Sequence, residues 1–210
     1  YKVLSDKLPE AFPASSGGCL ASAVWWGKRE KDGEPWADGA PHPVGQGGFF
    51  GGDGITSMHH NSAGTRISPI EIWESRNPWL INRIELAQDS CGAGEFRGGL
   101  GLDIEFEMLE ETFVTTVVER TKLPPWGINK GKSARANNVI LKKVNGGKIN
   151  IPKETGFKIN KGEKITFITG GGGGYGDPKN RKQSSIKNDL KQEYLSREYV
   201  NEHYNFYIKD

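Results

Sequence analysis

Residues 102–108 read Leu102-Asp103-Ile104-Glu105-Phe106-Glu107-Met108. Apolar and acidic side chains alternate without a break, and a period of two marks a strand with one face buried and the other in water. A helix would scatter the same four apolar residues around its circumference, so the stretch decides for β structure. Outward from it, Thr112–Glu119 (TFVTTVVE) is rich in β-branched residues and predicts a second strand. The short break at Glu110-Glu111 predicts that the two pair antiparallel. Asn138–Lys142 and Lys148–Ile151 flank Asn145-Gly146-Gly147, a hairpin signature. Glu163–Thr169 (EKITFIT) alternates again. Residues 80–170 are therefore expected to be mostly antiparallel strands.

Upstream, residues 1–57 read as irregular and turn-rich. Pro9, Pro13, Pro35, Pro41 and Pro43 interrupt any helix, and only Ala21–Trp26 suggests a short strand. Trp25, Trp26 and Trp36 stand in this segment without a periodic element around them. Because Trp is enriched at interfaces, residues 1–60 are expected to lie against another chain. Downstream, the character changes at Asp177, after which there is no glycine. Ile186, Leu190 and Tyr194 recur every fourth residue and predict a helix. Ser196 reads as the N-cap of a second short helix carrying Tyr199, Val200 and His203. The expected fold is mainly β, with antiparallel strands, long glycine-rich loops and a small C-terminal helical appendage. It divides into a body, residues 1–176, and a tail, residues 177–210, docked on the body.

The 210 residues suit one large domain or two small ones. Lys and Arg number 28 and Asp and Glu 26, a net charge of +2 that supplies no field for a nucleic-acid backbone. No apolar run reaches the ~18 residues of a membrane span. The chain starts at Tyr1 without a Met or a signal-peptide pattern, as a processed or partial chain would. Cys19 and Cys91 form no C-x-x-C pair, and are expected as reduced, buried thiols of a cytoplasmic protein. Glycine is the anomaly: 29 residues, about twice the usual ~7%.

Several motifs invite a function. Gly131-Lys132-Ser133 resembles the end of a P-loop, but Trp126 stands where the pattern needs a glycine. Gly92-Ala93-Gly94-Glu95-Phe96-Arg97-Gly98 misplaces the third glycine of a dinucleotide fingerprint, and reads better as a tight turn admitting a crossing backbone. The run Gly170–Gly174 has two open readings. The amides of Gly171, Gly172 and Gly173 could form an anion nest, or the run could be a packed crossover where side chains would clash. Arg66, Arg97 and Arg120 each border a Gly/Pro-rich segment and are candidates for holding a carboxylate or phosphate; each could equally pin a loop. His59, His60 and Asn61 are candidates for proximity to an active site. Adjacent histidines on an extended chain point apart, and His42 and Asp53 could reach them only through the fold, so no metal site is expected. No nucleophilic triad or G-x-S-x-G elbow is visible, and the catalytic residues stay unassigned.

Taken together, several segments resemble the hydantoinase B/oxoprolinase family, in the C-terminal part of its B-type subunit. Thr65–Glu71 (TRISPIE) resembles TRNTPIE, and Asp89–Gly101 (DSCGAGEFRGGLG) resembles DSGGAGRFRGGLG. Pro124-Pro125-Trp126-Gly127 resembles PPWG, and Thr169–Pro178 resembles TPGGGGYGDP. Ser196, Glu198 and Tyr204 fit an S-x-E pattern with a later Tyr. Cys91, Glu95 and the His59-His60 doublet ahead of Thr65 depart from the pattern, which leaves the substrate open. The resemblance implies a multi-subunit enzyme in which an A-type ATPase subunit binds ATP and Mg²⁺ and phosphorylates an amide oxygen. The B-type subunit then handles the activated species, with a divalent metal held in an N-terminal part that nothing here matches. A cyclic-amide hydrolase is the implied activity. A related ATP-dependent ketone carboxylase and a non-catalytic assembly module are the alternatives, with a stand-alone binding domain behind them. The implied partners are the A-type subunit, the remainder of the B-type subunit and a small-molecule substrate.

Overall fold

The structure, a computed structural model, describes residues 2–18, 21–59, 65–204 and 206. In chain order its elements begin with helix α1 (Lys2–Ser5), strands β1 (Ala21–Lys28) and β2 (Pro35–Pro41), and helix α2 (Ile70–Arg76). Strands β3 (Trp79–Leu86), β4 (Leu102–Met108), β5 (Thr112–Val118), β6 (Asn138–Lys142), β7 (Lys148–Asn150), β8 (Phe157–Ile159) and β9 (Lys164–Ile168) follow. Helices α3 (Gln183–Lys191) and α4 (Arg197–His203) close the chain. All named strand pairs are antiparallel, in two sheets of order β2-β1-β5-β8 and β3-β4-β9-β6-β7. The mainly β fold read from the sequence is the observed one.

The alternation in β4 puts Leu102, Ile104, Phe106 and Met108 into the core and Asp103, Glu105 and Glu107 outside. β5 alternates in the same way, with Thr112, Val114, Thr116 and Val118 buried. The two strands nevertheless do not pair. β4 lies between β3 and β9, and β5 between β1 and β8. The short stretch Leu109–Glu111 is a corner that carries the chain from one sheet to the other, with the Leu109 amide donating to the Pro78 carbonyl. Period two is identical for strands that pair side by side and strands that face each other across a core, so alternation cannot separate the two arrangements. The β6–β7 hairpin around Asn145-Gly146-Gly147 and strand β9 fall where the sequence places them.

Trp25 is fully buried, its ring centroid 5.3 Å from Trp79, 5.5 Å from Phe106 and 5.8 Å from Phe167 on the facing sheet. Trp36 is also buried and meets Trp79 edge-on at 5.6 Å. The expectation that these tryptophans wait for another chain is corrected for both. β1 is a regular strand, so adjacent Trp25 and Trp26 point to opposite faces, and only Trp26 looks outward, stacked on Phe113. Strand β2 was hidden from the sequence by Pro35 and Pro41. They stand at the two ends of an edge strand, where a missing N–H is tolerated.

The two sheets present different outer faces. On the four-stranded sheet the register aligns Ser22, Val24 and Trp26 of β1 with Pro41, Gly39 and Ala37 of β2 and with Val117, Thr115 and Phe113 of β5. None of these nine positions is charged. On the five-stranded sheet, Asp103, Glu105 and Glu107 align with Glu85, Arg83 and Leu80, and with Ile168, Thr166 and Lys164.

The tail packs on the body. Ile186, Leu195, Val200 and Tyr204 share a buried cluster with Cys91, Ala93 and Leu100. Ser196 caps α4 by accepting from the Tyr199 amide at 3.0 Å, as its position before the helix predicts. No helix among the described residues is long and apolar enough to cross a membrane.

Candidate functional site

The glycine-rich segments 45–54, 92–101 and 170–176 cross one another at one end of the sandwich. Their approach is set by backbone. A Cβ on Gly98 would fall on the carbonyl oxygen of Gly172, and one on Gly172 would fall on that of Gln46. The amides of the central run are all engaged: Gly171 donates to the Ser90 carbonyl, Gly172 to Gly99, Gly173 to Ser15 and Gly174 to Lys132. Gly170 donates to the side-chain oxygen of Asn137. Gly171, Gly172 and Gly173 are buried and keep no amide hydrogen free, so the packed crossover is the arrangement observed and an anion nest has no donors there.

Arg97 is drawn into the structure as well. Its guanidinium, buried, lies 3.0 Å from Asp189 of α3, and Arg181 joins the same cluster at 2.7 Å from both Asp189 and Asp53. Burial opposes both charges. Asp189 and Asp53 outweigh it and hold both guanidinium groups above their ordinary pKa. The cluster clamps α3 to the glycine loops. Cys91 lies beside it, with its thiol pushed up to about 12 by burial, so it carries no thiolate at neutral pH. Cys19, His60 and Asn61 lie outside the described residues.

The other candidates converge on a groove. A cavity of about 480 Å³ is enclosed by the Pro13–Gly18 segment, the Gln46–Met58 loop and the Glu119–Trp126 loop. A second, of about 400 Å³, is lined by Ser57, Met58, His59, Thr65 and Arg66 among others. Met58 lines both, so the two cavities adjoin at that side chain. Phe49, Ile55, Met58 and Trp126 make apolar walls, and the guanidinium of Arg120 sits 4.1 Å from the Trp126 ring centroid. Arg120 adopts φ 54° and Ser57 φ 52°, the left-handed region that non-glycine residues enter only when the surroundings hold them there. The holder at Arg120 is Asn137. Its side chain donates to the carbonyls of Gly17 at 2.6 Å and Glu119 at 2.7 Å, and its amide donates to the Arg120 carbonyl at 3.1 Å. Asn137 is buried and was not singled out from sequence; an Asn ahead of a strand carries no local signal of a clip spanning three segments.

His59 enters the groove beside a buried relative. The Val44–Met58 bridge sets residues 42–44 against 58–59. His42 is 2% exposed, lies 4.1 Å from the Phe167 ring, and has no partner for either ring nitrogen. Burial, with a smaller contribution from His59, lowers its pKa to about 3, so it is neutral at physiological pH. Of the two residues the fold could have brought to His59, it brings His42; Asp53 goes to Arg181. Among the described residues no group of three or more His, Cys, Asp or Glu side chains is placed to hold a metal ion.

Arg66 and His59 thus line one of the adjoining cavities and Arg120 the other, while Arg97 and the glycine run belong to the scaffold. Gln46, Met58, Glu119 and Trp126 complete the groove. Trp126 was legible only as part of the PPWG resemblance. Chemically, the groove offers apolar walls to a small flat body and guanidinium groups to its anionic or carbonyl oxygens.

Comparison with known proteins agrees with this architecture. The chain is 32% identical to an uncharacterized protein of Methanocaldococcus jannaschii over 93% of its own length and 34% of that protein's. It is 34% identical to a 5-oxoprolinase of Dictyostelium discoideum over 82% of its length and 13% of that enzyme's. Among solved structures, the ATP-dependent caprolactamase from Pseudomonas jessenii superposes on 98% of this chain with a TM-score of 0.80 and 26% identity, and the match covers 37% of that chain. The chain therefore spans about a third or less of the length of these relatives. The model of one family, hydantoinase B/oxoprolinase, runs through residues 1–178, from the N-terminal segment that walls the groove to the end of the glycine crossover, and the chain belongs to that family.

Proposed function

We propose that this chain works as the C-terminal part of a B-type subunit in an ATP-dependent hydrolase that opens a cyclic amide, together with an A-type ATPase subunit. The supporting observation is the superposition of nearly the whole chain on an ATP-dependent caprolactamase at 26% identity. Amide resonance makes the ring nitrogen a poor leaving group, and phosphorylation of the amide oxygen supplies the missing drive. The failed P-loop pattern at Trp126 and the engaged amides of Gly170–Gly174 support placing the nucleotide outside this chain. ATP, Mg²⁺ and a divalent metal belong in this reading to the partner subunit and to the rest of the B-type subunit. This chain supplies a wall of the substrate site. The apolar walls of the groove receive the ring, and Arg120, braced on Trp126 and held by Asn137, offers its charge to an oxygen of the activated amide.

The test is ATP turnover by the complex that purifies with this chain, against a panel of 5-oxoproline, hydantoin and caprolactam. The expected result is stimulation by a cyclic amide without added bicarbonate, with Arg120→Ala lowering the stimulated rate at least tenfold. Turnover that needs bicarbonate and a ketone such as acetone would replace this reading with a carboxylase. A complex without ATP turnover on any of these would leave only the assembly role.

A further inference from the structure

On the outer face of the four-stranded sheet the nine positions that β2, β1 and β5 contribute to three successive rows are uncharged, yet Val24 is 49% and Val117 43% exposed. Trp26 and Phe113 stack on it with ring centroids 6.1 Å apart. A sheet exposed on one side ordinarily alternates apolar-in with polar-out, as β4 does with its three outward carboxylates. β1 and β5 instead carry apolar side chains on both faces, the pattern of strands covered on both sides. Lys158 of the edge strand β8 ends the Trp26–Phe113 row, and its charge is paired with Glu111 at 2.8 Å.

We infer that this face is where the remaining part of a B-type polypeptide docks. The inference rests on the reading that the chain works inside a B-type subunit, and it identifies the contact surface. Two observations point to that occupant. The relatives carry about two thirds or more of their length outside the part matched here, so a further body of the same polypeptide has to meet this one somewhere. The size of the face counts against a second copy. Three strands ~4.8 Å apart and about five residues long present roughly 250 Å², well short of the ~800 Å² that each partner of a stable dimer buries. With the nine positions of β2, β1 and β5 uncharged and Lys158 at the edge paired with Glu111, the contact is largely apolar and weakly dependent on salt.

A photo-cross-linking residue placed at Val24 or Val117, with Ile140 or Thr166 of the charged sheet as controls, tests this in the host cell on the intact assembly. The expected result is at least tenfold more cross-linked peptide from Val24 and Val117 than from the controls, the peptides matching B-type sequence outside the part homologous to this chain. A Val24→Lys, Val117→Glu double variant should lower recovery of that B-type sequence with this chain at least fivefold. Cross-links to a second copy, to an unrelated protein, or to nothing would overturn the inference. B-type sequence captured from the control sheet would overturn the surface assignment while leaving the B-type reading intact. Absence of any B-type sequence in the purified assembly would remove that reading itself.

Discussion

Between the two sheets, Trp25, Trp79, Phe106 and Phe167 fill the space with side chains. At the crossing of residues 45–54, 92–101 and 170–176 the space is filled by backbone, and hydrogen bonds such as Gly172 to Gly99 and Gly98 to Gly92 do the holding. The contrast shows that the excess of glycine is a packing device. A side-chain core tolerates changes that conserve volume, because neighbours can rotate. A backbone crossing tolerates no Cβ, because a carbonyl held in its own hydrogen bonds has nowhere to move.

Substitutions in the two regions sharpen the comparison. Gly172→Ala and Gly98→Ala should each cost at least about 4 kcal/mol, the scale of exceptional single-residue losses. Trp25→Ala should cost about 3–5 kcal/mol, while Trp25→Phe should cost clearly less. Urea denaturation measures all four. If Gly172→Ala unfolds within about 1 kcal/mol of the parent, the crossing is slack and the contrast fails.

The clamp between the crossing and the tail comes next. Asp189→Asn leaves Arg97 and Arg181 buried with one carboxylate fewer, and breaking such a pair costs about 3 kcal/mol. The tail should then be released first, read as cleavage between residues 183 and 203 under limited proteolysis before the sheets are cut. Simultaneous digestion of tail and sheets would mean that the clamp does not act locally.

A smaller effect comes from pH at the groove. His42 is held neutral, with its pKa lowered to about 3 from the ordinary 6.5. Between those values the unfolded chain binds a proton that the folded chain refuses. Stability is therefore complete above about pH 6.5 and falls as pH drops toward 3, by about 2 kcal/mol at pH 5. His42→Phe, which keeps the ring against Phe167, should flatten that part of the pH profile. An unchanged slope between pH 6.5 and 5 would show that another group carries it.

The smallest effect concerns a glycine outside the crossing. Gly33 has φ 72° with open space where a Cβ would stand. Gly33→Ala should cost about 1 kcal/mol, from the left-handed backbone alone. A loss as large as that of Gly172→Ala would erase the distinction between close approach and backbone conformation.

The sequence by itself determined the β class, strands β4, β5, β6, β7 and β9, the capped helix at Ser196 and the family. Each rests on a local signal: period two, an Asn-Gly-Gly turn, a hydroxyl before a helix, or a motif with its residues in order. It offered Arg66, Arg97, Arg120, the amides of Gly171–Gly173 and His59–Asn61 as candidates, without a signal for which of them meet. It took the folded chain to show that β4 and β5 belong to different sheets instead of pairing, that Trp25 and Trp36 are core while Trp26 looks outward, and that Arg97 is engaged by Asp189. Only the fold could show that the amides of Gly170–Gly174 have partners, that Asn137 clips distant segments, and that β2, β1 and β5 align nine uncharged positions on one sheet face. Those facts depend on which segments meet across long sequence distances. A periodic pattern records which side of a strand is wet, and it carries no record of what lies opposite.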